Sequence, residues 1–459
     1  MNSAHAAPSP MLTGDVRPLV LRLCAPSVLA MLSSSVGTML DALFVGGAGA
    51  SATAAVGLSF PLLTMLQAVG FTLGIGAGSA MSRSLGGGDE ESAQRAASCA
   101  LVSALLLGAA ICALGMAFTG PLLSLLGATE QLLIPGAAYA RYVLLSGPML
   151  CASLVLSSLL RGQGRTWPNC IAYASGSALG ALLCWLLVLR MGLGIHGAGI
   201  AVLAREALTL LILTVFTLRG KLRPTPRLVT LSPRVWVEIM RSGVPTLLRQ
   251  GLISVSGVLL NRASAGFGEA ALAGMSLAVR AGSIVTSATI GFGQGFQPVC
   301  GFACGAGDTG RIREAYRFCQ RVVCVSLALA GVAAFRFALP LLRMTGAPED
   351  VARFGARVLR AQAPVFFAQG AIIMMNMLTQ SMGQTVRASL IATTRQGTLF
   401  IPLVLLLPQL LGETGLVLCQ SASDLVSLPL CLLLTRGALP ASDEGNAKNG
   451  VLRQHAYAH

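Results

Sequence analysis

Long apolar stretches joined by short polar segments run through almost the whole chain. No charged side chain occurs between Ala42 and Ser82, between Ala96 and Thr129, or between Ala281 and Gly307. Each run exceeds the ~20 residues that one helix needs to cross a bilayer. The pattern predicts twelve membrane helices, near residues 19–40, 55–80, 96–118, 137–160, 168–189, 197–218, 240–261, 271–298, 315–338, 358–379, 388–410 and 414–435. A lipid-facing barrel would need short alternating strands and aromatic girdles. The 53 glycines and only 5% aromatic residues fit closely packed membrane helices instead.

Composition sharpens this picture. The chain is 54% apolar and 11% charged, against ~25% charged in an ordinary soluble domain, which excludes a soluble enzyme and a disordered chain. The net charge of +15 does not mark a nucleic-acid partner, because the basic residues sit between spans rather than on one patch. They alternate along the chain. Arg17, Arg22, Arg83, Arg95, Arg161, Arg165, the run from Arg219 to Arg234, Arg311, Arg313, Arg387, Arg436, Lys448 and Arg453 lie on one side. The other side carries Arg190, Arg262, Arg343 and Arg353, with Arg336 near a helix end. Basic residues collect on the cytoplasmic side, so both termini are expected there, in a multi-pass protein of the inner or plasma membrane. The twelve cysteines lack the spacing of a disulfide framework or a zinc site and read as small packing residues. Cys300 and Cys304, one turn apart, have no third ligand nearby. The polar, proline-bearing N-terminus has no signal-peptide pattern, so the first span is expected to remain.

The longest polar connection, Arg219 to Pro233, holds three prolines and divides the chain into two sets of six spans. The expected organisation is a tail at 1–18, a first lobe at 19–218, a linker at 219–235, a second lobe at 236–436 and a tail at 437–459. Sliding one half onto the other by 219 residues (245 − 26 = 219) brings Pro26 onto Pro245, Gly74 onto Gly293, Asp89 onto Asp308 and Gly164 onto Gly383 without a gap. The constant shift marks a duplication. Six spans per half make the repeats parallel about an axis along the membrane normal, with a cleft between lobes. The fold class is therefore all-α and polytopic, twelve transmembrane helices in two six-helix lobes, and the layout is that of an alternating-access carrier.

Several segments then look familiar: the span from Pro26 to Asp41 followed by GGAGASATAAVG (46–57), RGQGRT (161–166), GLGIHGAGIAV (192–202), GVPTLLRQG (243–251), IGFGQGFQPVCGFACGAG (290–307), RQGTLFIP (395–402) and SASDLVSLP (421–429). Together they resemble the multidrug and toxic compound extrusion (MATE) family, in its bacterial drug-exporter branch, over roughly residues 15 to 436. The resemblance implies a two-lobe antiporter that expels cationic, amphipathic small molecules against an inward proton or sodium gradient. It also implies that Asp41, at the end of eighteen uncharged residues, takes the coupling ion. From its position alone Asp41 either faces the lobe interior or caps its helix at the interface. Burial disfavours the charged form of a carboxylate, so such a group holds a proton and releases it when water enters. Pro26, which removes a backbone hydrogen bond from the same helix, is the candidate hinge.

Where relatives carry Asn and Asp on the fifth helix and Thr on the sixth, this chain has Gly180, Cys184 and Val202. A sodium site needs several oxygen ligands; a proton needs one titratable group. The expected coupling ion is therefore H+ rather than Na+, with no other cofactor. Glu206, mid-way along the sixth span, is the candidate second coupling group; the other reading is that the adjacent Arg205 simply neutralises it. A shift of 218 (424 − 206 = 218) places Asp424 opposite it in the second lobe. Arg249, Gln250, Arg280, Gln294, Gln297, Asn376 and Arg395 are polar groups within second-lobe spans. Arg280 and Arg395 are expected to pair with acids, Asp424 among them, or with carbonyls, or to meet an anionic substrate. The methionines offer adaptable apolar surface for varied ligands or fill gaps between helices.

Two other functions compete. A lipid-linked precursor flippase or organic-anion exporter of the same superfamily would need a strongly basic cleft, and the first lobe reads as poor in interior arginine. An intramembrane enzyme would need convergent catalytic groups, yet no HExxH or nucleophile elbow is present and the four histidines lie at the tails or an interface. The expected partners are a small-molecule substrate of cationic character and membrane lipids, without nucleic acid. The chain is expected to work as a monomer.

Overall fold

The computed structural model describes residues 10–438 apart from 48, 126–129, 221 and 231, so most of both predicted tails lies outside the described residues. Twelve membrane helices follow one another: α1 (Val16–Gly46), α2 (Ala50–Gly86), α3 (Glu90–Ala117), α4 (Glu130–Gly162), α5 (Trp167–Arg190), α6 (Gly194–Leu218), α7 (Pro233–Ala265), α8 (Glu269–Gly305), α9 (Thr309–Arg343), α10 (Glu349–Ser381), α11 (385–411) and α12 (413–436). The helices outrun the predicted apolar cores at most ends, because interfacial turns continue the hydrogen-bond ladder beyond the hydrocarbon layer. The last two spans form one run, Thr385–Arg436, broken only at Gly412 (φ 59°, ψ −137°). That backbone conformation suits glycine and turns the chain back into the membrane.

The duplication is visible in the helix ends. Asp89 and Asp308, 219 residues apart, cap α3 and α9 in the same way, each accepting from the amide three residues on at 2.9 Å (Ser92 and Arg311). Packing repeats as well: α1 lies on α5, α2 on α4 and α4 on α6, as α7 lies on α11, α8 on α10 and α10 on α12. One detail is exchanged between the copies. Asn169 on α5 donates to the Ser157 carbonyl on α4 at 2.9 Å, while Asn376 on α10 donates to the Ala388 carbonyl on α11 at 2.8 Å. Residues 157 and 376, and 169 and 388, are equivalent at the shift of 219. The same inter-helix tie is thus made from opposite partners, and Asn376 holds α10 to α11.

The lobes meet through α1 on α8, α2 on α7 and α2 on α8. Among the described residues, the cross-lobe bonds run from the face that bears residues 10 and 436, termed here the terminal face, to about the middle of these helices. Ser35 meets Ser287 at 2.7 Å, Cys24 donates to the Phe292 carbonyl, and Arg83 reaches across at the rim. Backbones approach so closely there that a Cβ on Gly86 would stand 2.1 Å from the Phe302 oxygen, and one on Gly295 would stand 2.5 Å from the Cys24 Cα. Small residues permit this approach, and close packing drives membrane-helix association. Beyond the Ser35–Ser287 pair the helices carry exposed Met39, Leu43, Phe60, Met65 and Val258, and among the described residues no side-chain bond joins the lobes there.

The close approach has a measurable consequence. Gly295→Val is expected to hold the lobes apart at the terminal face and raise labelling of the buried Cys24 by a water-soluble thiol reagent severalfold, read by mass spectrometry of each cysteine. Unchanged labelling contradicts this account of the contact.

Candidate functional site

A charged triad sits inside the first lobe. Asp41 near the end of α1, and Arg205 and Glu206 on α6, all have side chains less than one-fifth exposed: 19%, 16% and 11%. The Arg205 guanidinium donates through Nη1 to Asp41 Oδ2 and through Nε to Glu206 Oε1, the latter at 3.2 Å. Asp41 therefore faces the lobe interior, and of its two oxygens Oδ1 is buried with no hydrogen-bond partner. A single carboxylate would have sufficed to neutralise Arg205. Two carboxylates share one cation, leaving the cluster one unit negative when both are ionised.

Gly180 explains how the arginine fits. A Cβ there would lie 3.2 Å from the Arg205 Cβ and Cδ, so the missing side chain on α5 is the slot that takes the arginine stem. Buried Cys184 and Val202 complete the wall. The positions at which the resemblance leads one to expect neutral and acidic oxygen ligands supply none, and a guanidinium fills the room. Arg205 is the residue that sequence reasoning used only as a neutraliser of its neighbour; the glycine opposite it was the available signal.

In the second lobe Arg395, in a π-helical turn of α11, pairs with Asp424 of α12 through Nε at 2.5 Å, and Gln420 donates to the same carboxylate oxygen at 3.3 Å. The expected Arg395–Asp424 pair is present. The depth correspondence holds: in α6 and α12 the register is 218, since Gly194 and Gly412 share a left-handed φ (52° and 59°) and buried Glu206, Thr209, Leu213 and Thr217 recur as buried Asp424, Ser427, Cys431 and Thr435. Each lobe thus has one acid at the same place, Glu206 answered by its neighbour Arg205 and Asp424 answered by Arg395 from α11. Arg249 on α7 faces Arg395, and its Nε is buried without a partner. Two cations against one acid leave this cluster one unit positive.

The remaining predicted residues separate. Arg280 is exposed and makes no ion pair among the described residues, contrary to the expected pairing with an acid; Asp424 is already taken by Arg395. Gln250 is half-buried beside Arg249 in sequence, and Gln294 lies away from both triads, between the lobes. The first lobe is not poor in interior arginine, since Arg161 and Arg205 are both buried in it. Pro26 is buried in an otherwise unbroken α1, between Cys24 and Ser27, where α1 grips α8. No group of three potential metal ligands occurs among the described residues.

The MatE family model matches residues 26–186 and again residues 245–406. The chain belongs to the MatE family. It is a multi-pass membrane transporter, and the two matched segments of this MatE chain begin 219 residues apart, as the repeat requires. It is similar to the multidrug export protein MepA of Staphylococcus saprophyticus, 24% identical over 401 residues, covering 87% of this chain and 88% of that one. It is likewise similar to MepA of Staphylococcus aureus, 22% identical over 411 residues, covering 89% and 90%. Among solved structures, a multidrug resistance MATE transporter in an outward-facing conformation superposes with a TM-score of 0.89 at 22% identity, covering 94% of this chain and 97% of that one. A Pyrococcus furiosus transporter of the MOP superfamily, described as having a binding pocket of reverse polarity, superposes at 0.87 with 22% identity, covering 94% and 98%.

The second-lobe pair can be tested directly. Asp424→Asn strands Arg395 beside Arg249, and losing one partner of a buried pair costs about 3–5 kcal/mol. A marked fall in the thermal midpoint of the purified protein is expected, with most of it recovered in the double variant Arg395→Met, Asp424→Leu. Equal losses in the single and double variants contradict the pairing argument.

Proposed function

We propose that this protein is a proton-coupled antiporter that exports cationic, amphipathic small molecules by alternating access, and that the Asp41–Arg205–Glu206 triad carries the coupling. The observation that supports this most is the unpartnered buried Oδ1 of Asp41 beside a guanidinium already shared with Glu206. An unsatisfied carboxylate oxygen in a desolvated site is a place for a proton. The triad is neutral with one proton bound and negative without it. A cationic substrate that enters the first lobe stabilises the negative form, and a proton replaces it when the substrate leaves.

Transmission runs through α1. Its inner half is clamped on α8 at Cys24 and Ser27, its outer half carries Asp41, and Pro26, inside the clamped stretch, weakens the ladder there. A change in the Asp41–Arg205 bond therefore bends α1 against a fixed inner half. The opposing lock is Arg83 of α2, whose Nε and Nη2 donate to Glu238 of α7 at 2.9 and 2.7 Å and whose Nη1 donates to the Ser381 carbonyl of α10 at 2.8 Å. With the terminal face on the cytoplasmic side, the orientation that the basic residues favour, this arrangement is the outward-open state. Met39 and Met65, exposed on the outer halves of α1 and α2, offer deformable apolar surface for ligands of varied shape.

Efflux of a fluorescent cationic dye from proteoliposomes tests the reading. A proton gradient alone is expected to drive efflux and a sodium gradient alone is not. Asp41→Asn should abolish the driven component, Glu206→Gln should reduce it, and Arg205→Gln should leave dye binding while uncoupling it from the proton gradient. Efflux driven by sodium, or driven normally in Asp41→Asn, overturns the proposal.

A further inference from the structure

A second buried cation in the first lobe takes no part in the triad. Arg161, in the last turn of α4, is 7% exposed, and among the described residues no carboxylate lies within ion-pair distance of it. Its Nη1 and Nη2 donate to the hydroxyls of Ser157 and Ser158 at 2.6 and 2.8 Å, neutral partners that carry no counter-charge. A charge taken from water without one is strongly disfavoured.

Beside it lies a small, partly open cavity in which the centre of a water-sized particle can range over about 10 Å3, room for one small particle. Its walls come from both lobes: Ser79 and Ser82 of α2, Ser158 and Arg161 of α4, and Gln294 and Gln297 of α8. The Gln294 side chain is 2% exposed, borders the cavity and makes no hydrogen bond within the described residues. Ser79, 5% exposed, is in the same position. By contrast Gln297 donates to Gln380 Oε1 at 3.2 Å and Ser82 donates to the carbonyls of Gly78 and Gly162. The cavity therefore presents one uncompensated guanidinium, a free carboxamide and a free hydroxyl, and no carboxylate.

The repeat supplies an internal comparison. The residue equivalent to Arg161 is Gln380 (380 − 161 = 219), which donates through Nε2 to the Ser242 carbonyl and to the Thr246 hydroxyl, both at 2.6 Å. The second-lobe copy is neutral and satisfied within the protein, so the excess charge and the unfilled donors arise only on the first-lobe side.

We propose that the Arg161 cavity binds one small monovalent anion of the halide class, chloride in the cell. The anion supplies the missing counter-charge and accepts from Ser79 and the Gln294 amide. Because Gln294 comes from α8 while Arg161 and Ser79 come from the first lobe, the site is complete only when the terminal face is closed. Binding one state and not the other shifts the equilibrium towards it, so the anion favours the closed terminal face. This inference rests on the cavity and not on the coupling mechanism proposed above.

The test uses the full-length protein in nanodiscs at constant ionic strength, with sodium gluconate replaced stepwise by sodium chloride or sodium bromide. A saturable rise in thermal midpoint is expected with both halides and none with gluconate, which is too large for the cavity. The rise should vanish in Gln294→Leu, which breaks no bond within the protein and so keeps the fold, and in Arg161→Gln. Crystals grown with bromide should show an anomalous peak within hydrogen-bond distance of Arg161. Identical wild-type midpoints in halide and gluconate, or a rise undiminished in Gln294→Leu, overturns the proposal and leaves the cavity to water.

Discussion

A guanidinium taken out of water must be answered by nearby charge, and the arrangement of this transporter follows from how each buried arginine is answered. Arg205 meets two carboxylates, Arg395 meets one while facing a second arginine, and Arg161 meets only hydroxyls. Pairing geometry decides which helices are tied: α6 to α1 in the first lobe, α11 to α12 in the second. The residual charges then differ in sign, one unit negative around Arg205 and one unit positive around Arg249 and Arg395. Two lobes built on the same helical plan thus offer different electrostatic environments to a ligand in the cleft between them. The negative cluster is the one that suits a cation or a proton.

The second constraint is steric. The lobes touch through glycines and serines in one half of α1, α2, α7 and α8, and Arg83 bridges three helices at the rim of that contact. Such an interface is either fully seated or open, because backbone atoms at van der Waals distance leave no intermediate packing. In the proposed transport cycle, alternation between two states then needs only a modest bias. A change of one charge at the triad is electrostatically large in a low-dielectric interior, and α1 carries both Asp41 of the triad and, at Cys24 and Ser27, part of the seated interface.

Much of this was legible in the sequence, for physical reasons. Membrane spans are long and uncharged, and the glycine needed to break the last run at Gly412 falls in the predicted gap between spans. The repeat survived as one constant shift because capping residues such as Asp89 and Asp308 satisfy the same helix-end amides in both halves. The burial of Asp41 in the lobe was one of two readings its position allowed. What could not be read was which charges meet. Arg205 is adjacent to Glu206 in sequence, yet its bond to Asp41 spans 164 residues, and Gly180 reveals itself as a slot only once α5 and α6 are packed. Arg280 and Arg395 looked alike as arginines within apolar spans; the fold buries one against Asp424 and exposes the other. Arg161 sat in a familiar motif at a predicted helix end, where an exposed cytoplasmic role was the natural expectation.

The central claim is that one negative charge in the first lobe is held alternately by a proton and by a cationic substrate. It is tested most directly by counting protons released to lightly buffered medium when the purified transporter binds a monovalent cationic dye. The account predicts release of about one proton per dye bound at a pH where the triad holds its proton, and no release from Asp41→Asn. Dye binding of undiminished affinity with no proton release at any pH would contradict it.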